Sequence, residues 1–372
     1  MNRHAISLGK IDNIPIEIDT SWFLIFVFLT WSLATGYFPT QFNHWSALEY
    51  WLVGAATTII FFFSVLLHEL GHSLVALRYK IPVHNITLFF FGGVSQITQE
   101  PSSAKQEFWI AIAGPLVSFG LGAIFYLFAF IFSGVPPILA LAEYLALINI
   151  ILAVFNLIPG FPLDGGRVFQ AVWWGISRNL TQATNVAIAV GQVIAFLFII
   201  LGVWMVFAGN FFNGIWIAFM GWFLDSAAIS QKRQHNLHDI LSQHQVSEAI
   251  SRNYVIISAH TSLQELTDEH ILGSGRRFFI VEDDKQNICG VLPLKSIIAV
   301  PRAKWPETYA EQIMIPVDQA HPVHLNTNLW EAVEEMDQEG AYQQPVMENG
   351  QLQGVLSQEG VMSFLKTHHS PN

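Results

Sequence analysis

His68, Glu69 and His72, in the stretch VLLHELGHS at 65–73, are the residues best suited to chemistry. On a helix, residues four apart project from one face, one turn from each other. Two imidazoles so placed can bind one zinc ion. Glu69 points about 100° away around the same helix. It is poorly placed as a third ligand, but it could reach a water beside the metal and act as a general base. The segment from Tyr50 to Arg78 is strongly apolar, and between those two residues Glu69 is the only formal charge. A charged side chain at the centre of a bilayer costs about 2.5–3.5 kcal/mol, so the trio needs a reason. The plain alternative is three buried polar residues that hydrogen-bond between helices.

A catalytic zinc usually keeps three protein ligands and one open position. Asp164 is the candidate third ligand. It lies in NLIPGFPLDGGR at 156–167, where Pro159 and Pro162 would stop a helix and Gly165-Gly166 would permit a sharp turn. Read alone, Asp164 could equally be a helix cap or a turn residue.

The elements that must position these groups are membrane helices. Of the 372 residues 52% are hydrophobic and 12% charged, against about 25% charged in a typical soluble domain. Six apolar segments, 20–38, 50–78, 106–132, 138–159, 186–208 and 211–229, are of the length that crosses a hydrocarbon core. Ala208-Gly209-Asn210 would join the last two as a tight hairpin. Gly114-Pro115 is expected to kink the third segment, and Ala111, Ala113, Gly114 and Ser118 would admit a close neighbour. Arg3, Lys10, Arg78, Lys80, Lys105, Arg167, Arg178, Lys232 and Arg233 all fall on one side of a six-span arrangement. Basic residues mark the cytoplasmic side. Both termini are therefore expected there, with His68, His72 and Asp164 on the cytoplasmic side of the midplane. The first twenty residues are mixed and polar and show no signal-peptide pattern. Between segments two and three, VHNITLFFFGGVSQIT at 83–98 predicts a hairpin of two short strands turning at Gly92-Gly93. It would either enter the membrane, where protein or water satisfies its backbone, or rest on the bilayer surface.

Composition changes near Gln231–Asn236. Residues 1–234 hold 10 acids and 9 bases, a charge of −1; residues 235–372 hold 18 acids and 8 bases, a charge of −10, for a total of −11. So acidic a tail argues against nucleic acid as a partner. Cys289 is the only cysteine, which excludes an intrachain disulfide. The tail repeats itself: Leu263 matches Leu329, and Gly290-Val291-Leu292 matches Gly354-Val355-Leu356. Each copy reads strand, helix, strand, turn, strand, helix, and two such copies would bury a shared face. The expected architecture is a multi-pass α-helical membrane domain of about six spans over 1–234, with a short membrane-associated β-hairpin, then a soluble α/β pair of repeats over 235–372.

HELGH at 68–72, FGG at 91–93, AGP at 113–115 and NLIPGFPLDGG at 156–166, in that order, resemble the site-2 proteases, zinc metalloproteases of the peptidase M50 type that cut within the membrane. The tail resembles a tandem pair of cystathionine-β-synthase-type (CBS) domains, which one branch of that family carries. The resemblance implies one zinc per chain on His68, His72 and Asp164, with Glu69 activating water. It implies that Asn156 positions substrate or stabilises the oxyanion; packing or capping a helix end is the alternative for Asn156. Substrates would be single-span membrane proteins already trimmed by another protease, cut in the bilayer of the cell (inner) membrane in regulated intramembrane proteolysis. CBS pairs commonly hold an adenine nucleotide between the repeats. Here the positions after GVL are Pro293 and Ser296 in one copy and Ser357 and Gly360 in the other, and neither supplies the expected acid. Nucleotide sensing therefore stands beside a structural role or one in forming a homodimer. Two competing classes remain: a transporter or channel with a CBS regulatory tail, and an inactive membrane scaffold. A transporter would spread its polar residues along a pathway, whereas these cluster at one depth.

Overall fold

The computed structural model describes residues 5–90, 92–97, 99–271 and 276–368. The chain divides into two compact units, Met1–Lys232 and Arg233–Asn372.

Among the described residues six helices are long and apolar enough to cross a membrane, as the hydropathy pattern predicts. The first, Ser21–Gln41, joins α1 (Ser21–Ser32) through a π-helical turn at Leu33–Tyr37 to α2 (Phe38–Gln41). The others are α3 (Ala47–Arg78), α4 (Ala104–Ile131), α5 (Pro136–Asn156), α7 (Leu180–Phe207) and α8 (Phe211–Ser242). α8 runs well past the expected end at 229. Ser46 and Glu49 close a capping box at the start of α3, which satisfies backbone donors that the helix itself leaves open. α4 is the hub, packed against α3, α5 and α6 (Asp164–Ser177). At Gly71 of α3 an added Cβ would lie 2.9 Å from Val117 Cγ2 and 3.1 Å from the Ala113 carbonyl oxygen, so glycine is what lets α3 and α4 meet this closely.

α6 corrects the sequence reading. Asp164 does not sit in a turn made by Gly165-Gly166; it opens a helix of 14 residues, about 21 Å long and too short to cross the membrane. Both glycines lie in its first turn and are buried. A Cβ on Gly166 would come within 2.6 Å of the Gly160 carbonyl oxygen, and one on Gly165 would strike the carbonyls of Leu157 and Ile158. They are there for close approach to the preceding loop.

Residues 83–98 do form a hairpin, β3 (Val83–Phe89) and β4 (Gly92–Ile97). The glycines open β4 rather than forming the turn: Gly92 pairs with Phe89 and Gly93 with Leu88. Phe91 and Thr98 lie outside the described residues. The hairpin belongs to a sheet of order β1-β2-β3-β4, built with β1 (Ala5–Ile11) and β2 (Ile14–Asp19). β2 runs parallel to β3, with Ile16 opposite Ile86. Ile14, Ile16, Ile18, Ile86 and Leu88 form the inner face and pack on Val65, Leu66 and Leu70 of α3. The sheet is thus fastened to the helix that carries His68, Glu69 and His72. β1 and β2 were not expected from sequence. Their signal was Asp12-Asn13, whose φ values of 52° and 67° are those of a two-residue hairpin turn.

In the second unit the two copies of the repeat each have their own core. The first centres on Leu263, Leu266, Phe279, Val281 and Leu292, within β5 (Ile256–Ser258), α10 (Leu263–Leu266), β6 (Phe278–Glu282), β7 (Ile288–Pro293) and α11 (Leu294–Ile298). The second centres on Leu329, Met336, Val346, Leu356 and Phe364, within α13 (Leu329–Gln338), β9 (Gln343–Glu348), β10 (Gln351–Ser357) and α14 (Gln358–His368). α9 (Val246–Ala249) packs with the second copy, while α12 (Ala310–Ile313) and β8 (Ile315–Pro316) serve the first. Ile280, Val291 and Val355 meet across the copies, which is the shared face the repeat predicts.

Candidate metal centre

The structure brings His68, His72 and Asp164 together, with one ligand atom from each within 4.8 Å of the others. His68 Nε2 is 3.1 Å from Asp164 Oδ2, His72 Nε2 is 3.3 Å from the same oxygen, and the two Nε2 atoms are 3.2 Å apart. Zinc bonds of about 2.0–2.1 Å in tetrahedral geometry place neighbouring ligand atoms about 3.3 Å apart. The triangle has that size.

Its protonation also asks for a cation. His72 Nδ1 donates to the Ile110 carbonyl oxygen at 2.7 Å, and a carbonyl can only accept. In a neutral ring this leaves Nε2 as a bare lone pair facing a carboxylate oxygen and a second imidazole nitrogen. His68 Nδ1 is held 2.8 Å from Ser118 Oγ. Partners on the far nitrogen set the ring plane of metal-binding histidines, and the Ile110 carbonyl also sets the His72 tautomer. Burial raises the Asp164 pKa and positive charge on the His72 and His68 rings lowers it well below the usual carboxylate range, so the carboxylate calls for a cation beside it. Both histidines are buried, at 4% and 3% exposure.

α4 supplies the supporting parts. An added Cβ on Gly114 would lie 2.6 Å from His68 Nε2 and 2.7 Å from His72 Cε1, and nearer still to His72 Nε2. Gly114 therefore keeps open the volume a metal would fill. Pro115 lacks the N–H that would bond back to Ala111, which loosens the carbonyl ladder beside Ile110. Gly114, Pro115 and Ser118 appear in the sequence as packing and kink residues. Their service to the imidazoles was missed, and a backbone carbonyl such as that of Ile110 leaves no mark in a sequence.

Glu69 is half-buried, one residue on from His68 and around the helix from the triangle. β4 passes over it: a Cβ on Gly93 would stand 2.6 Å from Glu69 Cγ and 3.3 Å from Oε1. Gly93 thus lets the strand lie against the carboxylate and restricts where that carboxylate can swing. Asn156 is the last residue of α5 and is half-buried. Its position at a helix end fits the packing alternative as well as a substrate-facing one.

Comparison with known proteins follows the same division. The model of peptidase family M50 matches residues 56–143 and 135–200, and that of the CBS domain matches 246–302 and 310–367. A Synechocystis protein described as "Putative zinc metalloprotease sll0528" is 33% identical over 368 residues, covering 97% of this chain and 96% of its own. Rip3 of Mycobacterium tuberculosis, with the same description, is 32% identical over 85% of this chain and 81% of its own. Among solved structures, the site-2 protease from Methanocaldococcus jannaschii is 31% identical, covers 61% of this chain and 95% of its own, and gives a TM-score of 0.43.

Proposed function

The chain belongs to peptidase family M50 and is a multi-pass membrane zinc metalloprotease with a CBS-domain pair, and on that premise we propose that it hydrolyses peptide bonds of membrane-spanning proteins at the His68–His72–Asp164 triangle. The observation that carries this reading is the triangle itself, 3.1–3.3 Å on each side, with Glu69 one residue from a ligand.

In this mechanism His68, His72 and Asp164 would hold zinc. The ion, when bound, supplies a Lewis acid that acidifies water and polarises a carbonyl. His72 is turned by its Nδ1–H bond to the Ile110 carbonyl, so that Nε2 faces the metal position, and His68 is turned by Ser118. Glu69 takes a proton from the attacking water on its carboxylate and returns it to the leaving amide nitrogen. Gly93 confines that carboxylate. Asn156 would orient the substrate or steady the developing oxyanion from the end of α5.

A helical substrate hides its peptide bonds, since every backbone group is paired within the helix. It must unwind before it is cut. β4 is the last strand of its sheet, and an unwound segment added to it would run beside Glu69. The substrates in this reading are single-span proteins already shortened by another protease. Residues 1–234 serve as the protease domain, with their basic residues and both termini on the cytoplasmic side of the cell membrane. Residues 235–372 serve as a regulatory or dimer-forming pair; adenine nucleotide sensing predicts binding of AMP, ADP or ATP by the full chain in equilibrium dialysis.

The direct test is cleavage of a panel of single-span substrates in liposomes by the wild type and by Glu69→Gln, with zinc determined for both. Zinc near one per chain in both and cutting by the wild type alone is the expected result. Zinc in neither and cleavage by neither would remove the protease reading and return the polar cluster to a transport or structural role.

A further inference from the structure

Resting on the zinc-protease reading above, we infer that the ion pair between buried Glu107 and half-buried Arg167 is a positioning device for the metal site. Glu107, Ile110, Gly114 and Ser118 follow one another on α4 at spacings of three, four and four residues, so they line one face of that helix. That face gives His72 its carbonyl, gives both Nε2 atoms their open space and gives His68 its hydroxyl. On α6, Asp164 and Arg167 are three apart and share a side of the first turn. α4 therefore sets both imidazoles, while α6 sets the carboxylate. The ligand triangle closes only if these two helices keep one register.

The Glu107–Arg167 pair fixes that register one turn from Ile110 on α4 and one turn from the ligand Asp164 on α6. Arg167 Nε donates to Glu107 Oε1 at 2.7 Å and Nη2 donates to Oε2 at 3.3 Å, so both carboxylate oxygens are engaged. A two-point contact between planar groups restrains rotation as well as distance. Glu107 is 5% exposed. Among the described residues this is the one ion pair that a Lys or Arg makes with a carboxylate; the others involve histidines.

A pair that only held the fold together would change the unfolding temperature and leave metal retention in the folded protein untouched. The experiment therefore uses the purified full chain in detergent as wild type, Glu107→Gln, Arg167→Met and Arg167→Lys. The readouts are zinc release to a chelator, the visible spectrum of the cobalt-substituted protein, and thermal unfolding. We expect Glu107→Gln and Arg167→Met to release zinc about 10–100 times faster than the wild type, carrying over to release the loss of metal affinity that follows mutation of outer-shell partners. Their cobalt spectra should shift and weaken. Arg167→Lys, which keeps the charge without the fork, should fall between.

Should the single variants fail to fold because one buried charge is left unpaired, Glu107→Leu/Arg167→Met removes both charges together. It is expected to fold and still release zinc faster, because an apolar contact does not fix the register. Wild-type release rates and cobalt spectra in the folded variants would overturn the inference whatever their unfolding temperatures. A wild type that holds no zinc would instead overturn the protease reading on which it rests.

Discussion

Gly114→Ala should make a folded protein that cannot hold its metal. The new methyl carbon would stand 2.6 Å from His68 Nε2 and 2.7 Å from His72 Cε1, and closer than that to His72 Nε2. Zinc bound to the same nitrogens would lie about 2.0–2.1 Å from each, so the methyl group and the ion compete for one volume. The imidazoles cannot step aside freely. Retreat by the roughly 1 Å needed for ordinary contact would sacrifice the Ile110 and Ser118 hydrogen bonds at 2.7 and 2.8 Å. The helix itself favours the change, since alanine exceeds glycine in helix propensity by about 0.8–1.0 kcal/mol. The expected outcome is zinc falling from about one to below about 0.1 per chain, cleavage lost to background, and helical circular dichroism preserved in the same sample. Metal content by mass spectrometry of the purified full chain decides it. Gly114→Ala with wild-type zinc and wild-type turnover would show that the ion does not lie in the space this glycine keeps open, and the derived ligand geometry would be wrong.

Other outcomes follow from the same contacts. Ser118→Ala removes the partner of His68 Nδ1; zinc affinity measured by chelator competition should weaken about 10–100-fold, with the fold intact. Gln344 is fully buried in β9 with neither amide atom hydrogen-bonded among the described residues. It stands where the first copy of the repeat has the core residue Phe279, so Gln344→Leu should stabilise the second unit by about 1–3 kcal/mol, read as slower hydrogen exchange of the β9 amides. The Asp283 carboxylate accepts N–H bonds from Asn287 and Lys285, which hold its pKa below the usual value. A depressed folded-state pKa stabilises above the ordinary carboxylate range and loses that contribution as pH falls through the folded value. Asp283→Asn should therefore flatten the acid sensitivity of the second unit below about pH 4, measured by thermal unfolding across pH.

What the sequence disclosed depended on whether the responsible group has a side-chain signature. His68, Glu69 and His72 stood out because imidazole and carboxylate are costly in an apolar segment and the histidine spacing suits a metal; Asp164, read from a loop where it could equally cap a helix, is brought to the two histidines by the fold. The spans were legible for the same reason: about twenty apolar residues have few other uses. α6 escaped because Gly165 and Gly166 look like a turn, whereas they are small so that the helix can lie on the loop before it. The turn of the β3–β4 hairpin was misplaced on Gly92-Gly93, whose use is to bring β4 against Glu69. β1 and β2 are short and adjoin a membrane span, and only Asp12-Asn13 marks them. Asn156, named from motif resemblance, has a position in the fold but no contact that assigns its role.

The central claim is that His68, His72 and Asp164 hold one zinc ion, and X-ray absorption at the zinc edge of the purified full chain tests it most directly. The account predicts about one zinc per chain, a shell of nitrogen and oxygen at about 2.0–2.1 Å, and outer-shell scattering from two imidazoles. Asp164→Ala should lower the occupancy or remove it. A sulfur shell at about 2.3 Å, a single imidazole, or no zinc after purification in its presence would contradict the account.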